Sequence, residues 1–168
     1  KPCESQVMAA ALLGAIKQYE LIMAEHELLE KTLKGSIQVL TDVLSMTNPV
    51  AFNKAKRICN YAVKAVKQLR LPDVWQYEIA AMMSQIGCLT VPLDTVDKYF
   101  SGVELSETEK TMIQTHPKVG YDLLINIPRM ETVANMIKLQ QVVLPKEHYH
   151  KPLLEIDPAV MGGLILKS

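Results

Sequence analysis

Histidine, cysteine and carboxylate side chains let a chain hold metal or activate water, and in these 168 residues the first two are few. The histidines stand at His26, His116, His148 and His150, and the cysteines at Cys3, Cys59 and Cys88. A hydrolytic metal centre draws several His, Asp or Glu side chains inward from facing helices. None of these histidines shows such company. His116 precedes Pro117 with no evident carboxylate or histidine companion, and His148-Tyr149-His150 lies between prolines, where a solvated loop is the plainer reading. The cysteines are too scattered for a Cys-x-x-Cys site or a disulfide framework. There is no Gly-x-Ser-x-Gly elbow, glycine-rich phosphate loop or cysteine–histidine pair. Taken alone, these residues indicate neither an enzyme nor a cofactor or metal. Lys54, Lys56 and Arg57 form a basic run that suits either phosphate binding or a solvated helix face.

Helices must position these groups. Between Pro2 and Pro49 there is no proline and only Gly14 and Gly35, while Ala, Leu, Glu, Lys and Met dominate. The later prolines punctuate shorter periodic segments. The pattern predicts helices near 4–46, 50–70, 73–86, 94–100, 106–115, 117–126 and 129–143, then a less regular tail. An all-α chain of this length buries about 70% of its unfolded surface. Lys plus Arg (18) balances Asp plus Glu (18), which argues against general nucleic-acid binding. No apolar run approaches the ~20 residues of a membrane span, and unpaired thiols suit a reducing cytoplasm. The expectation is a cytoplasmic protein without a membrane partner.

The first helix has a seam of its own. Leu12, Ile16, Tyr19, Met23, His26, Glu30, Leu33, Ile37, Leu40 and Leu44 alternate in steps of four and three, the heptad pattern of a coiled coil. A helix about 60 Å long exceeds what a small body can cover, so a homodimer through Leu12, Ile16, Tyr19, Met23 and Leu33 is expected. This long helix, residues 1–35, would precede a helical domain over 36–168. His26-Glu27 is similar to the phospho-acceptor dipeptide of histidine kinases, but no nucleotide-binding boxes follow, and a surface or seam histidine is the better reading.

The segment Ala80-Ala-Met-Met-Ser-Gln-Ile-Gly-Cys-Leu-Thr-Val-Pro92 resembles the signature helix of the HD-GYP phosphohydrolase family, where a His-Asp pair precedes Ile-Gly-Lys and a loop ending in proline. Leu105-Ser-Glu-Thr-Glu109 followed by His116-Pro117-Lys-Val-Gly120 is similar to the next family landmark, a helix opened by a Ser106–Glu109 capping box. Asn48-Pro49-Val-Ala-Phe-Asn53-Lys-Ala-Lys-Arg57 resembles the first metal-ligand helix. The resemblance covers roughly 36–143 and implies an HD-domain-like helical bundle.

The chain departs from that pattern where the family binds metal. Asn53 takes the place of the first histidine, Ser84-Gln85 of the His-Asp doublet, and Cys88 of the lysine after Ile-Gly. Gln140-Gln141-Val142 falls on the later His-His-Glu, and Leu144-Pro145-Lys146 is no Gly-Tyr-Pro loop. Only His116 survives. Neutral Ser and Gln neither hold divalent cations nor balance their charge, so the resemblance implies a fold that kept its shape and lost its metals.

The ends add context. Lys1-Pro2 before an amphipathic helix resembles the close of a response-regulator receiver domain, which implies a sensor kinase and a phosphorelay upstream. Ile156-Asp-Pro-Ala-Val-Met-Gly-Gly-Leu-Ile-Leu-Lys-Ser168 reads as a helix cut short. The expected function is a non-catalytic output domain, a pseudoenzyme of bacterial two-component signalling that works through dimerisation and a protein partner or a nucleotide. The alternative is a metal-dependent phosphodiesterase acting on cyclic di-GMP or a related phosphoester.

Overall fold

The computed structural model describes residues 5–141 and 155–167. Seven α-helices and one 3-10 helix make up these residues, with no strand among them. The helices are α1 (Ser5–Thr47), α2 (Pro49–Gln68), α3 (Val74–Met83), α4 (Leu93–Ser101), α5 (Glu107–Leu124), α6 (Glu131–Leu139) and α7 (Pro158–Lys167), and the 3-10 helix Ile86–Thr90 follows α3. The chain divides into two compact units, Lys1–Ser36 and Ile37–Ser168.

The described part of the first unit is helix throughout. Its apolar side chains are open to solvent, among them Leu12, Ile16, Tyr19 and Met23. By length and composition α1 corrects the expectation of no membrane-length stretch: its most apolar 18-residue window has a mean hydropathy of 1.4. Lys17 and Glu20 interrupt that stretch, and each costs about 2.5–3.5 kcal/mol at the centre of a membrane span.

Local chemistry sets the helix limits in the second unit. The Asn48 side chain accepts from the Ala51 N–H at 3.1 Å, with Pro49 in the first turn of α2, where its missing N–H costs nothing. Ala51, Phe52, Ala55, Ile58, Ala62 and Val66 form the buried face of that helix. Small alanines let α3 approach it closely. Residues of α3 from Ile79 to Met83 are buried on every side, as befits a helix that is apolar all round. Gly102, at φ 72°, closes α4 in the left-handed region. Ala51, Phe52, Cys88, Val91, Val96 and Ile113 form one core cluster, with Leu44, Phe100 and Leu105 packed on it.

Two expectations about the elements need correction. The seam does not run freely to Leu44, because Ile37 is buried and Leu44 packs on the core cluster. Pro117 does not divide two helices; α5 continues through it from Glu107 to Leu124. The helix read from Ile156 onward is present as α7, ten residues long, and Gly162 and Gly163 let it approach α6: a Cβ at Gly162 would stand 2.3 Å from the Met136 side chain, and one at Gly163 would stand 2.9 Å from the Leu139 carbonyl.

The capping box expected at Ser106 is present. Ser106 Oγ accepts from the Glu109 N–H at 3.3 Å, and Glu109 Oε2 accepts from the Ser106 N–H at 2.8 Å. Glu109 also receives Lys98 Nζ at 2.7 Å. The Lys98 bond first, then the Ser106 bonds, hold its carboxyl down at about 2. That lies below the ~4.3 of an unfolded glutamate. The contribution is therefore complete above that value and is lost as pH falls through about 2. Glu109→Gln should lower the melting temperature at neutral pH, and its gap from the parent should close on acidification. Circular-dichroism melts through the acid range check this, and a gap independent of pH would refute it.

Candidate functional site

The His-Pro step builds the centre of the site. Pro117 has no N–H, so the Ile113 carbonyl four residues earlier is released from the helix ladder. His116 Nδ1 donates to that carbonyl at 2.5 Å, and Gln141 Nε2 donates to it at 3.4 Å. An acceptor on that side places the ring hydrogen on Nδ1 and leaves Nε2 with its lone pair. Gln140 Nε2 lies 3.4 Å from Nε2 and donates to it, while also donating to the Ser84 carbonyl at 3.1 Å. Burial holds the His116 pKa below its ordinary value, the Ile113 bond opposes this, and the charge of Lys54 adds to it. His116 is a neutral, buried imidazole with both nitrogens engaged.

The end of α3 supplies the facing wall. Ser84 Oγ donates to the Ala81 carbonyl at 2.9 Å and accepts from Gln85 Nε2 at 3.3 Å. Gln85 Oε1 in turn accepts from Cys88 Sγ at 3.6 Å. Ser84, Gln85, Cys88, His116 and Gln140 are all buried. Four neutral polar side chains and a thiol thus satisfy one another and nearby carbonyls across α3, the 3-10 helix, α5 and α6. Each such bond contributes about 0.5–1.5 kcal/mol net, and each partner left alone would cost about 1–3 kcal/mol.

Gly87 allows this approach. A Cβ there would sit 1.9 Å from the His116 carbonyl oxygen, so the backbone of the 3-10 helix lies directly on that of α5.

The other positions singled out in the sequence separate. Gln141 joins the cavity rim beside Gln140. Asn53 is exposed on α2 and lines two neighbouring cavities instead. Val142, the Leu144-Pro145-Lys146 segment, His148 and His150 lie outside the described residues. The basic run divides: Lys54 reaches the site, Arg57 lines the adjoining cavity, and Lys56 faces a separate one. Tyr99 and Lys167, which sequence reasoning missed, also line the site. A signal for part of this existed, since Val50, Lys54, Arg57 and Tyr61 recur at helical spacing along one face of α2.

The donors do not fit a pair of divalent metals. No group of three or more His, Cys, Asp or Glu side chains able to hold a metal occurs among the described residues. Burial raises the Cys88 thiol to about 12, only weakly opposed by Lys54, so at neutral pH it carries a proton where a metal needs a thiolate. What remains is a polar, uncharged floor that can accept and donate hydrogen bonds but has no base or nucleophile to spare.

No curated protein and no solved structure matches the chain. The HD domain pattern matches residues 38–149, two thirds of the sequence and the stretch that carries Ser84, Gln85, Cys88, His116 and Gln140. An all-helical body and a match of that extent show that the chain belongs to the HD domain family, which is related to phosphohydrolases.

Proposed function

We propose that this HD domain is a non-catalytic signalling module of the HD-GYP type, the output part of a response regulator that dimerises through the N-terminal half of α1. One observation carries the first part. Ser84, Gln85 and Gln140, at the positions where the resemblance places metal ligands, bond to one another, to Cys88 and to His116. A two-metal site brings about four positive charges into its cleft and needs carboxylates to offset them. Here amides occupy that space and tie up the one strong ligand. The exposed apolar residues of the first unit support dimerisation, and the resemblance of Lys1-Pro2 and the helix after it to the last helix of a receiver supports the response-regulator reading.

The test is elemental analysis of the purified protein together with a cyclic di-GMP turnover assay with added manganese and iron. No stoichiometric metal and no turnover above background are expected. Stoichiometric metal with turnover that His116→Ala abolishes would overturn the reading in favour of a phosphodiesterase. Metal without turnover would mark adventitious binding.

A further inference from the structure

Two cavities meet at Lys54. The larger, about 810 Å³, runs along α2 and is walled by Arg57, Ile58, Tyr61 and Phe100 besides Lys54. The smaller, about 290 Å³, shares Lys54 and Ile58 with it and reaches the Gln85–His116–Gln140 floor and Lys167. Among the described residues, Lys54, Arg57 and Lys167 are the fixed charges lining the pair, and no carboxylate lines either.

None of these three cations is neutralised within the fold. The ion pairs Lys31–Glu27, Lys98–Glu109 and Lys110–Glu107 use other residues, and Lys54, Arg57 and Lys167 make none among the described residues. Lys54 Nζ lies instead over the Phe100 ring, 4.6 Å from its centroid, and 5.8 Å from that of Tyr99. The titratable groups beside it are a protonated, uncharged thiol and another cation. Partial burial and then Arg57 pull its pKa below the ordinary value, with only Cys88 acting the other way. Two cations one helical turn apart, facing an open cavity that no acid among the described residues lines, produce a positive field there.

We infer that this double cleft binds a phosphorylated planar small molecule, of mononucleotide size, without a divalent cation. The phosphate sits on Lys54 and Arg57, and the planar ring lies on Tyr61 and Phe100. The inference rests on the metal-free reading of the HD site and deepens it, because Lys54 and Arg57 supply the charge that metals would otherwise bring to a phosphate. An arginine fork and an ammonium are the two side chains best suited to phosphate oxygens. The larger cavity falls within the range of about 300–1,000 Å³ usual for small-molecule sites. The neutral Gln85, His116 and Gln140 floor adds hydrogen bonds and no nucleophile, so a bound phosphoester is held and not cleaved.

The test uses the full chain in EDTA, titrated calorimetrically with AMP and GMP, and with adenosine and inorganic phosphate as partial probes. Saturable binding of AMP or GMP is expected, at least about tenfold tighter than either partial probe, weakening as salt is added. Lys54→Met should weaken it about tenfold or more, while Lys56→Met, on the separate cavity, should not. Both lysines are exposed, so circular dichroism should show parent-like folding. Absence of saturable binding in EDTA, binding that Lys54→Met leaves unchanged, or inorganic phosphate binding as tightly as AMP would overturn the inference and leave the non-catalytic reading intact. Binding that appears only with manganese would overturn the inference, and hydrolysis on adding it would overturn the non-catalytic reading too.

Discussion

Gly87→Ala should destabilise the helical body by about 3 kcal/mol or more, among the largest effects available to one added methyl group. The added carbon would meet the His116 carbonyl oxygen at 1.9 Å and its carbon at 2.7 Å, with Gly120 N at 3.1 Å. All three are backbone atoms of α5, so no rotamer change relieves the overlap. The 3-10 helix and α5 must move apart, and with them Gln85, Ser84 and His116, whose bonds depend on their present spacing. For a domain of this size such a loss lowers the melting temperature by roughly 10 °C. Two other glycines calibrate the claim. Gly120→Ala meets the Cγ2 methyls of Ile137 and Ile86 at 2.9 and 3.3 Å, with the Gly87 nitrogen at an ordinary 3.8 Å, and should cost less, about 1–2 kcal/mol. Gly35→Ala meets nothing within 4 Å inside α1 and should be neutral or stabilising by up to about 1 kcal/mol. Melts of the three variants followed at 222 nm check the ranking. A Gly87→Ala protein as stable as Gly120→Ala would show that the two backbones are not in contact.

The same carbonyl explains why part of this site was legible in the sequence and part was not. Capping signals are local, so Asn48-Pro49, Ser106–Glu109 and Gly102 could be read directly as helix limits. Pro117 was read in the same way, as a break, and that reading failed because its cost is met elsewhere. The acceptor it frees at Ile113 is taken up by His116 and by Gln141, which lies 28 residues further along the chain. The glycines of α7 could be read as close helix packing or as a poor helix, and the structure decides for packing. Gly162-Gly163 weakens an isolated helix, yet close contact with Met136 and Leu139 in α6 makes the absence of a side chain favourable there. Resemblance indicated the positions that matter, Ser84, Gln85, Cys88, His116 and Gln140, and neutral amides suit one another as partners, so a bonded polar cluster around a neutral His116 was legible too; which atoms pair was not. Lys54 was visible only as one of a basic run. Helical spacing alone separates it from Lys56, and its neighbours Tyr99 and Lys167 come from α4 and α7, which no local pattern connects to α2.

Replacing Ile16 and Met23 by lysine should convert a dimer into a monomer without unfolding the helical body. Ile16 is 53% and Met23 is 48% exposed in the single chain, with Leu12 at 57% and Tyr19 at 63%, so these four seam positions have no cover of their own, while Leu33 is half-buried. Burying an aliphatic side chain of this size contributes about 1.5–3 kcal/mol, and each seam residue counts twice across a two-fold axis. The double variant therefore removes four apolar contacts per dimer and sets lysines against lysines at two levels of the seam, enough to raise the dissociation constant by at least about a thousandfold. Leu13, Ile22 and Leu29 flank the seam and widen it. Leu21 and Leu28 fall outside it, and nothing in the fold explains their exposure. Multi-angle light scattering at high micromolar concentration should give twice the 18.8 kDa chain mass for the parent and the single mass for Ile16→Lys/Met23→Lys. The melting transition of the body should remain, since neither residue belongs to its core. A parent chain that is monomeric at that concentration would end the argument for self-association. A variant that stays dimeric would move the interface off this seam, with Leu21 and Leu28 the first residues to replace.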